Sequence, residues 1–298
     1  MFDNKAVLFI QLLNSLSLGM NLFIIAAGLT LVFGVLRIVN FAHGSFYMIG
    51  AYVAYSVIRL VGDTDLGFWA GVVGSALVMG VLAFFIERLL LNRLYDKDHM
   101  LQLLFTFALV LIFKDLVKIV WGTETHSIST PPSLQGAVNL GITPYPTYPL
   151  VLCVLGPLIA LAIWLAVDRS RWGRIVRAAQ LDREMLSALG TDVKRIYSTV
   201  FVLGAMLAAV GGALAAPRSA VDPSMDGLVI IDCFVIVIIG GMGSLLGSFI
   251  GALILGFVSV FGALFLQEWA IVTVYVLMVA TLLIRPWGLY GQSDEDRH

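Results

Sequence analysis

Charged residues are scarce in this 298-residue chain, at 12% of the sequence, whereas hydrophobic residues make up 60% and the mean hydropathy is +0.97. A typical soluble domain is nearer one quarter charged and about half apolar. The few charges here are not enough to cover a water-exposed surface, so lipid is the solvent that fits the composition. The net charge of −1 also argues against the basic surface that nucleic-acid binding requires.

Cysteine and histidine are rare as well. Cys153 and Cys233 both lie in apolar runs, so we interpret them as small buried hydrophobic residues and expect neither a disulfide framework nor a metal site. The four histidines are scattered, and no HExxH, paired CxxC or GxSxG motif occurs. Without a GxxxxGK[ST] phosphate loop, the chain is predicted not to hydrolyse ATP itself and to need no cofactor.

Long apolar runs dominate the rest of the sequence, and a membrane-spanning helix needs roughly 20 mainly apolar residues. We predict an all-α, polytopic membrane bundle of about nine transmembrane helices (eight to ten), forming a single domain over residues 1–298. The predicted spans are 7–30, 43–61, 66–87, 101–121, 148–167, 196–216, 228–246, 248–266 and 269–285. If residues 228–266 form one span and a re-entrant piece, the count is eight. The first apolar run is longer than a signal-peptide core, so we interpret it as a retained span.

Basic residues predict the orientation, because cytoplasmic loops carry an excess of Lys and Arg. Loop 122–147 contains neither residue type. Loop 168–195 is strongly basic, with Arg169, Arg171, Arg174, Arg177, Arg183, Lys194 and Arg195. We therefore place loop 168–195 and the C-terminus in the cytoplasm, and loop 122–147 and the N-terminus outside.

Each of these two loops has a structural prediction of its own. Prolines at 131, 132, 144, 146 and 149 preclude a long helix in the external loop, which is either an ordered docking cap or a plain connector. In the cytoplasmic loop, residues 174–189 predict one short amphipathic helix that ends at Gly190. Asp182 and Glu184 would be repelled by anionic lipid, so a soluble partner fits this helix better than headgroups do.

Two glycine-rich stretches interrupt the apolar sequence, and we predict a broken helix at each. Polar residues at Asn40, His43 and Ser45 mark the first break. Gly240, Gly241 and Gly243 mark the second, and we expect Gly243, Gly247 and Gly251 to share one helix face. Such breaks either line a pathway or form packing turns, and the sequence leaves both open.

Ionisable and polar residues inside the predicted spans could likewise have either a functional or a structural role. Asp232 is expected near the outer end of its span, where it has either a functional role or an interfacial one. Asn14, Ser17 and Asn21 lie on one face of the first span and serve helix packing or line a path. The candidate pathway residues are therefore Asn40, His43, Ser45, Gly240, Gly241, Gly243 and Asp232.

Three segments resemble a known family. The run Glu184-Met185-Leu186-x3-Gly190 has the spacing of the cytoplasmic Glu-Ala-Ala-x3-Gly motif of ABC import permeases, although Met185 and Leu186 replace the two alanines. The stretches GLTLVFGVLRIVNFAHGSFYMIGAY (28–52) and IIGGMGSLLGSFIGALILG (238–256) are similar to hallmark segments of branched-chain amino acid permeases. The resemblance is to the first of two non-identical permeases and covers essentially the whole chain. Urea permeases share parts of these motifs.

The resemblance implies an importer made of several subunits in a bacterial inner membrane. The expected partners are a second homologous permease, two cytoplasmic ATPase subunits and a periplasmic solute-binding protein. In this family the basic loop is a coupling helix that fits into a groove of the ATPase. The residues implied in coupling are Arg174, Arg177, Asp182, Arg183, Glu184, Leu186, Leu189 and Gly190.

The solute is left open by the sequence. Branched-chain amino acids are the first expectation, with urea or amides as the alternative. An autonomous secondary transporter is a third possibility, but such proteins usually place acidic residues in the middle of the membrane. Here the charges concentrate near span ends, which counts against that class.

Overall fold

The computed structural model describes residues 5–95, 97–141 and 143–291. Within these ranges the chain forms eleven α-helices and one small hairpin. The helices are α1 Lys5–Leu36, α2 Ala42–Val61, α3 Asp65–Leu89, α4 His99–Trp121, α5 Thr147–Trp164, α6 Arg171–Leu181, α7 Arg183–Ala188, α8 Val193–Ala215, α9 Met225–Gly240, α10 Leu245–Phe265 and α11 Ala270–Ile284. The antiparallel hairpin pairs β1 Ala137–Asn139 with β2 Pro144–Pro146. Both chain ends, whose sidedness was predicted, lie outside the described residues.

All nine predicted spans overlap helices, and the prediction of a polytopic all-α membrane protein is confirmed. Among the described residues, six segments are long and apolar enough to cross a membrane: Lys5–Leu36, Ala42–Val61, Asp65–Arg93, Thr147–Arg169, Val193–Ala215 and Leu245–Phe265. The other three predicted spans are less clear. Helix α9 has 16 residues, α11 has 15, and α4 carries the charged residues Lys114, Asp115 and Lys118. The count of nine spans therefore stays a prediction.

Helices α1 and α2 form the centre of the bundle. From Gly19 to Val32 every residue of α1 is buried, and so is every residue of α2 from Ala42 to Ala54. Helix α1 packs against α5, α8, α9 and α10, whereas α2 packs against α3, α4, α8 and α9. A helix that is apolar on all sides has no amphipathic period in its sequence. The sequence pattern therefore does not show which helices are central, and only their packing against the other helices does.

The outer helices present apolar side chains away from the bundle. Val73 on α3, Leu111 on α4, Leu158 on α5 and Val276 on α11 are each more than half exposed. In water such a belt would drive aggregation, whereas in a bilayer it contacts lipid tails of equal polarity. The exposed apolar side chains therefore agree with the inference from composition that lipid surrounds the protein.

The two ends of the bundle are distinguished by their connections. Helix α5 runs from the end that carries loop 122–147, called here the hairpin end, to the end that carries loop 168–195, called the basic end. No long helix forms in the proline-rich loop, as predicted. Its described residues contain the hairpin, one short turn at Pro132–Leu134 and an isolated bridge between His126 and Val221. At the hairpin end of α4, Lys118 and Asp115 form an ion pair at 3.1 Å.

Candidate coupling and pathway sites

The segment of residues 171–190, called here the α6–α7 segment, corrects one prediction. The sequence predicted a single helix over 174–189, but the chain breaks at Asp182, whose backbone is extended at φ −147° and ψ 100°. The carboxylate of Asp182 accepts hydrogen bonds from the backbone N–H groups of Glu184, at 3.0 Å, and Met185, at 2.9 Å. Asp182 is thus the N-cap of α7, and capping outweighs continuation of the helix. Gly190 ends the segment as predicted, at φ +82°.

The α6–α7 segment has one buried and one exposed apolar face. Val176, Ala179 and Leu186 are buried and attach the two helices to the bundle. Three other apolar side chains are mostly exposed: Leu181 (80%), Met185 (62%) and Leu189 (75%). Exposed apolar side chains on a polar segment are typical of an interaction surface.

The charged candidates on this segment separate into two groups. Arg177 is occupied within the chain, because it donates to the carbonyl of Val167 and pairs with the carboxylate of Asp168 at 3.0 Å. Arg174, Arg183 and Glu184 are exposed, and their side chains form no hydrogen bond or ion pair within the described part of the chain. The second group is therefore available to a partner, whereas Arg177 holds α6 in position.

The first predicted break lies between α1 and α2. Arg37 follows α1 at φ +55°, and Asn40 orients the start of α2 by accepting the N–H of Ala42 at 3.1 Å. His43 is fully buried, and its Nε2 lies 2.9 Å from the carbonyl oxygen of Ile25. Because a carbonyl only accepts, Nε2 carries the proton. Ser45 is equally buried and donates to the carboxylate of Asp226 at 3.4 Å.

The second break lies between α9 and α10. Gly241, at φ +101°, and Gly243, at φ +85°, occupy the left-handed region that favours glycine, so the chain turns there. Gly247 and Gly251 face α9 as expected, at Gly240 and Ile236. Gly243 precedes α10 and does not share that face, which corrects the predicted stripe of three glycines.

A contact that sequence reasoning missed completes the second break. The N–H of Leu289 donates to the carbonyl of Ile239 at 2.8 Å, and the N–H of Tyr290 donates to that of Gly240 at 3.0 Å. The segment after α11 thereby satisfies two of the carbonyls that the end of α9 leaves free. Gly288, at φ +76°, permits this approach. This glycine was the one feature of the sequence that could have indicated a turn back towards α9.

Asp232 lies in a different place from the one predicted. It is in the middle of α9, since that helix covers 225–240 and not 228–246. It is half-buried, and it forms no hydrogen bond or ion pair in the described parts of the chain. Its neighbours along the helix, Leu228 and Ile231, are exposed at 73% and 41%. An unpaired carboxylate at mid-helix is costly against lipid, so this face of α9 is expected to meet protein or water.

The polar residues of α1 make contacts at the hairpin end. The hydroxyl of Tyr145 donates to Asn14 at 2.8 Å, and Arg218 donates to the hydroxyl of Ser17 at 2.8 Å. Burial raises the pKa of Tyr145 to about 12, so its hydroxyl stays protonated as the donor. Asn14 and Ser17 therefore hold α1 to its neighbours, whereas the side-chain oxygen of Asn21 has no partner within the described residues.

Glu87 is a functional candidate that the sequence analysis overlooked. It is fully buried near the basic end of α3, and it accepts hydrogen bonds from Tyr95, at 2.7 Å, and from Ser198. Ser198 belongs to α8, the helix that follows the α6–α7 segment. The carboxylate therefore connects three parts of the chain, and burial together with this bond raises the pKa of Tyr95. Its position in an apolar run of α3 gave no hint of these distant partners.

Taken together, the lipid-facing belt, the broken helices and the exposed segment at the basic end define a multi-pass membrane permease. Residues 11–283 match the family described as the branched-chain amino acid transport system permease component. The chain belongs to this family.

Named relatives match most of the chain's length. The chain is 29% identical to the high-affinity branched-chain amino acid transport system permease protein BraD of Pseudomonas aeruginosa, covering 96% of this chain and 97% of that one. It is 28% identical to the permease protein LivH of Escherichia coli K12, covering 96% of each. It is 26% identical to the probable permease LivH of Methanocaldococcus jannaschii, covering 91% of this chain and 88% of that one.

Proposed function

We propose that this chain is the transmembrane subunit of an ATP-driven importer that carries a branched-chain amino acid into the cytoplasm. The observation that carries the proposal is the α6–α7 segment, which exposes Leu181, Met185 and Leu189 beside unpaired charges at the basic end. An autonomous transporter has no need of such a surface. The names of the relatives supply the solute class.

The partners follow from this assignment. A second homologous permease completes the membrane unit, two ATPase subunits bind the α6–α7 segments in the cytoplasm, and a periplasmic binding protein delivers solute at the hairpin end. ATP hydrolysis belongs to the partner subunits, so this chain is not itself an enzyme. The basic end is cytoplasmic, which puts the N-terminus outside a bacterial inner membrane and the C-terminus inside.

The candidate pathway residues have two roles in this proposal. Asp232 lies on a partly exposed face of α9 and is placed to meet the pathway or the second permease. Asn40, His43, Ser45, Gly240 and Gly241 are buried within the chain and act by fixing the two breaks around which the helices change position. A ligand or partner shifts such a two-state element only through contacts that differ between the states.

Reconstitution tests the function. The chain is assembled with a second permease, the ATPase pair and the binding protein in liposomes, with ATP enclosed and labelled leucine outside. We expect accumulation of leucine that requires both ATP and the binding protein. Uptake driven by an ion gradient without ATPase would instead establish a secondary transporter. ATP-driven uptake of urea, but not of leucine, would favour the urea and amide alternative.

Reversing the charge of Glu184 is expected to uncouple the assembled importer. Glu184 is exposed and unpaired within the described residues, so in Glu184→Lys the chain still folds and inserts while the partner meets the wrong charge. Uptake per ATP hydrolysed should fall roughly tenfold or more, the scale of a lost interfacial charge pair. Glu184→Gln removes the charge without reversing it, so its uptake per ATP hydrolysed should lie between those of the wild type and Glu184→Lys. Wild-type coupling in Glu184→Lys would exclude this role.

A further inference from the structure

Gln180 joins the α6–α7 segment to the end of α1, which in turn contacts the connection between α9 and α10. It lies in the last turn of α6, and its side-chain amide rests against Gly34 near the end of α1. A methyl group at Gly34 would lie 3.0 Å from Nε2 of Gln180 and 3.0 Å from Cα of Gly243. A methyl group at Gly243 would in turn lie 3.2 Å from Cα of Gly34. Three segments that are distant in sequence therefore meet where no carbon atom can be added without displacement.

Arg37 makes a second connection at the same place. Its Nη2 donates to the backbone carbonyl of Gln180 at 2.9 Å. That carbonyl is in the final turn of α6, where the helix itself supplies no donor, and a cation at a helix C-terminus is favourable. Arg37 is also the one non-glycine residue at positive φ within the described residues. Its backbone conformation is costly, which indicates that the surrounding contacts hold it there.

We propose that Gly34, Arg37, Gln180 and Gly243 form a coupling relay, which rests on the proposed function. When an ATPase subunit displaces the α6–α7 segment, Gln180 and Arg37 carry the displacement to the end of α1. The close Gly34–Gly243 contact then carries it to the connection between α9 and α10. The two breaks therefore move together and not in sequence, because one residue of α6 touches the first and the first touches the second. These four are positioning residues, since none of them needs to contact the solute.

The test measures uptake per ATP hydrolysed in the reconstituted importer. Gly34→Ala adds one carbon at the relay, and we expect this ratio to fall at least about fivefold, the lower range of measured allosteric coupling. Gln180→Ala should also lower it, because the link to α6 is shortened. In the double variant the methyl group no longer meets Nε2, although the contact with the Gly243 backbone remains. The double variant should therefore be less impaired than the product of the two single effects.

A matched control is available on another helix pair. A methyl group at Gly80 would meet only the side chain of Met206, at 3.1 Å from its sulfur, where α3 packs on α8. Gly80→Ala thus adds the same atom at a similar distance outside the relay, and its ratio should equal that of the wild type.

Where Gly34→Ala assembles, either of two results would overturn the relay. One is that Gly34→Ala retains the wild-type ratio, and the other is that the Gly34 and Gln180 effects multiply independently. If Gly34→Ala fails to assemble, the combined variant Arg37→Ala/Gln180→Ala decides alone, because it removes both side-chain contacts between α1 and the end of α6 and adds no atoms. An unchanged ratio in that variant also refutes the relay. Absence of ATP-driven uptake in the wild type would instead refute the proposed function, so the two failures are distinguishable.

Discussion

Met185→Asp is expected to abolish ATP-driven uptake by releasing the ATPase subunits. Met185 is 62% exposed and, with Leu181 and Leu189, is one of the exposed apolar side chains of the α6–α7 segment. A charge placed in the desolvated centre of such an interface typically costs about 2 kcal/mol or more, which weakens binding roughly thirtyfold. Co-purification of the ATPase with the permease in mild detergent measures the loss directly.

The same substitution does not disturb the helix itself. Met185 lies in the first turn of α7, where an acidic side chain interacts favourably with the helix dipole. The backbone hydrogen bond to the N-cap Asp182 is kept, because it uses the N–H group of residue 185. A failure of Met185→Asp is therefore a failure of docking and not of local folding.

Met100 provides the control. It is 63% exposed, it lies in the first turn of α4, and the carboxylate of Asp98 caps that helix in the same way. Met100→Asp thus makes the same chemical change in the same helical setting but outside the α6–α7 segment. It should retain the ATPase. Equal retention by both variants, or equal loss, would show that the α6–α7 segment is not the docking surface.

The sequence predicted the helices well because lipid makes composition decisive. Each apolar run of sufficient length had to form a helix, since the backbone has no other way to satisfy its polar groups in a bilayer. Breaks were predictable where glycine and polar residues interrupt such runs, as at Asn40 and Gly241. Outside the apolar runs, hydropathy does not predict where a helix begins or ends. Asp182 was placed on the polar face of one helix, although its side chain caps a second one.

Contacts between distant segments were not predictable from a single sequence. Gly34, Gln180 and Gly243 meet because three backbones approach closely, and no local pattern records which glycines approach which partner. The location of Asp232 was wrong for a related reason, because a shift of a few residues in the bounds of α9 moves a side chain from the end to the middle. Boundaries are set by caps and by the segment that follows α11, which hydropathy does not describe.

Gly50→Ala is expected to destabilise the fold strongly although it adds only one carbon. A methyl group at Gly50 would lie 2.7 Å from the carbonyl carbon of Ala209 and closer still to its oxygen and Cα. A flexible side chain can rotate away from such a contact, but the backbone of α8 cannot, so α2 and α8 must separate. Overpacking of this kind typically costs about 1–3 kcal/mol or more. A lower melting temperature in detergent and a lower yield of monodisperse protein would report the cost.

The control variant separates this packing effect from the loss of glycine itself. Gly227→Ala adds a methyl group in α9 at a position where nothing lies within 4 Å. Alanine favours a helix over glycine by roughly 0.5–1 kcal/mol, so Gly227→Ala should melt at the wild-type temperature or above it. Equal melting temperatures for the two variants would mean that α2 and α8 are not packed backbone to backbone. The predicted difference follows because α2 is enclosed on all sides, so a carbon added there has no solvent or lipid into which to move.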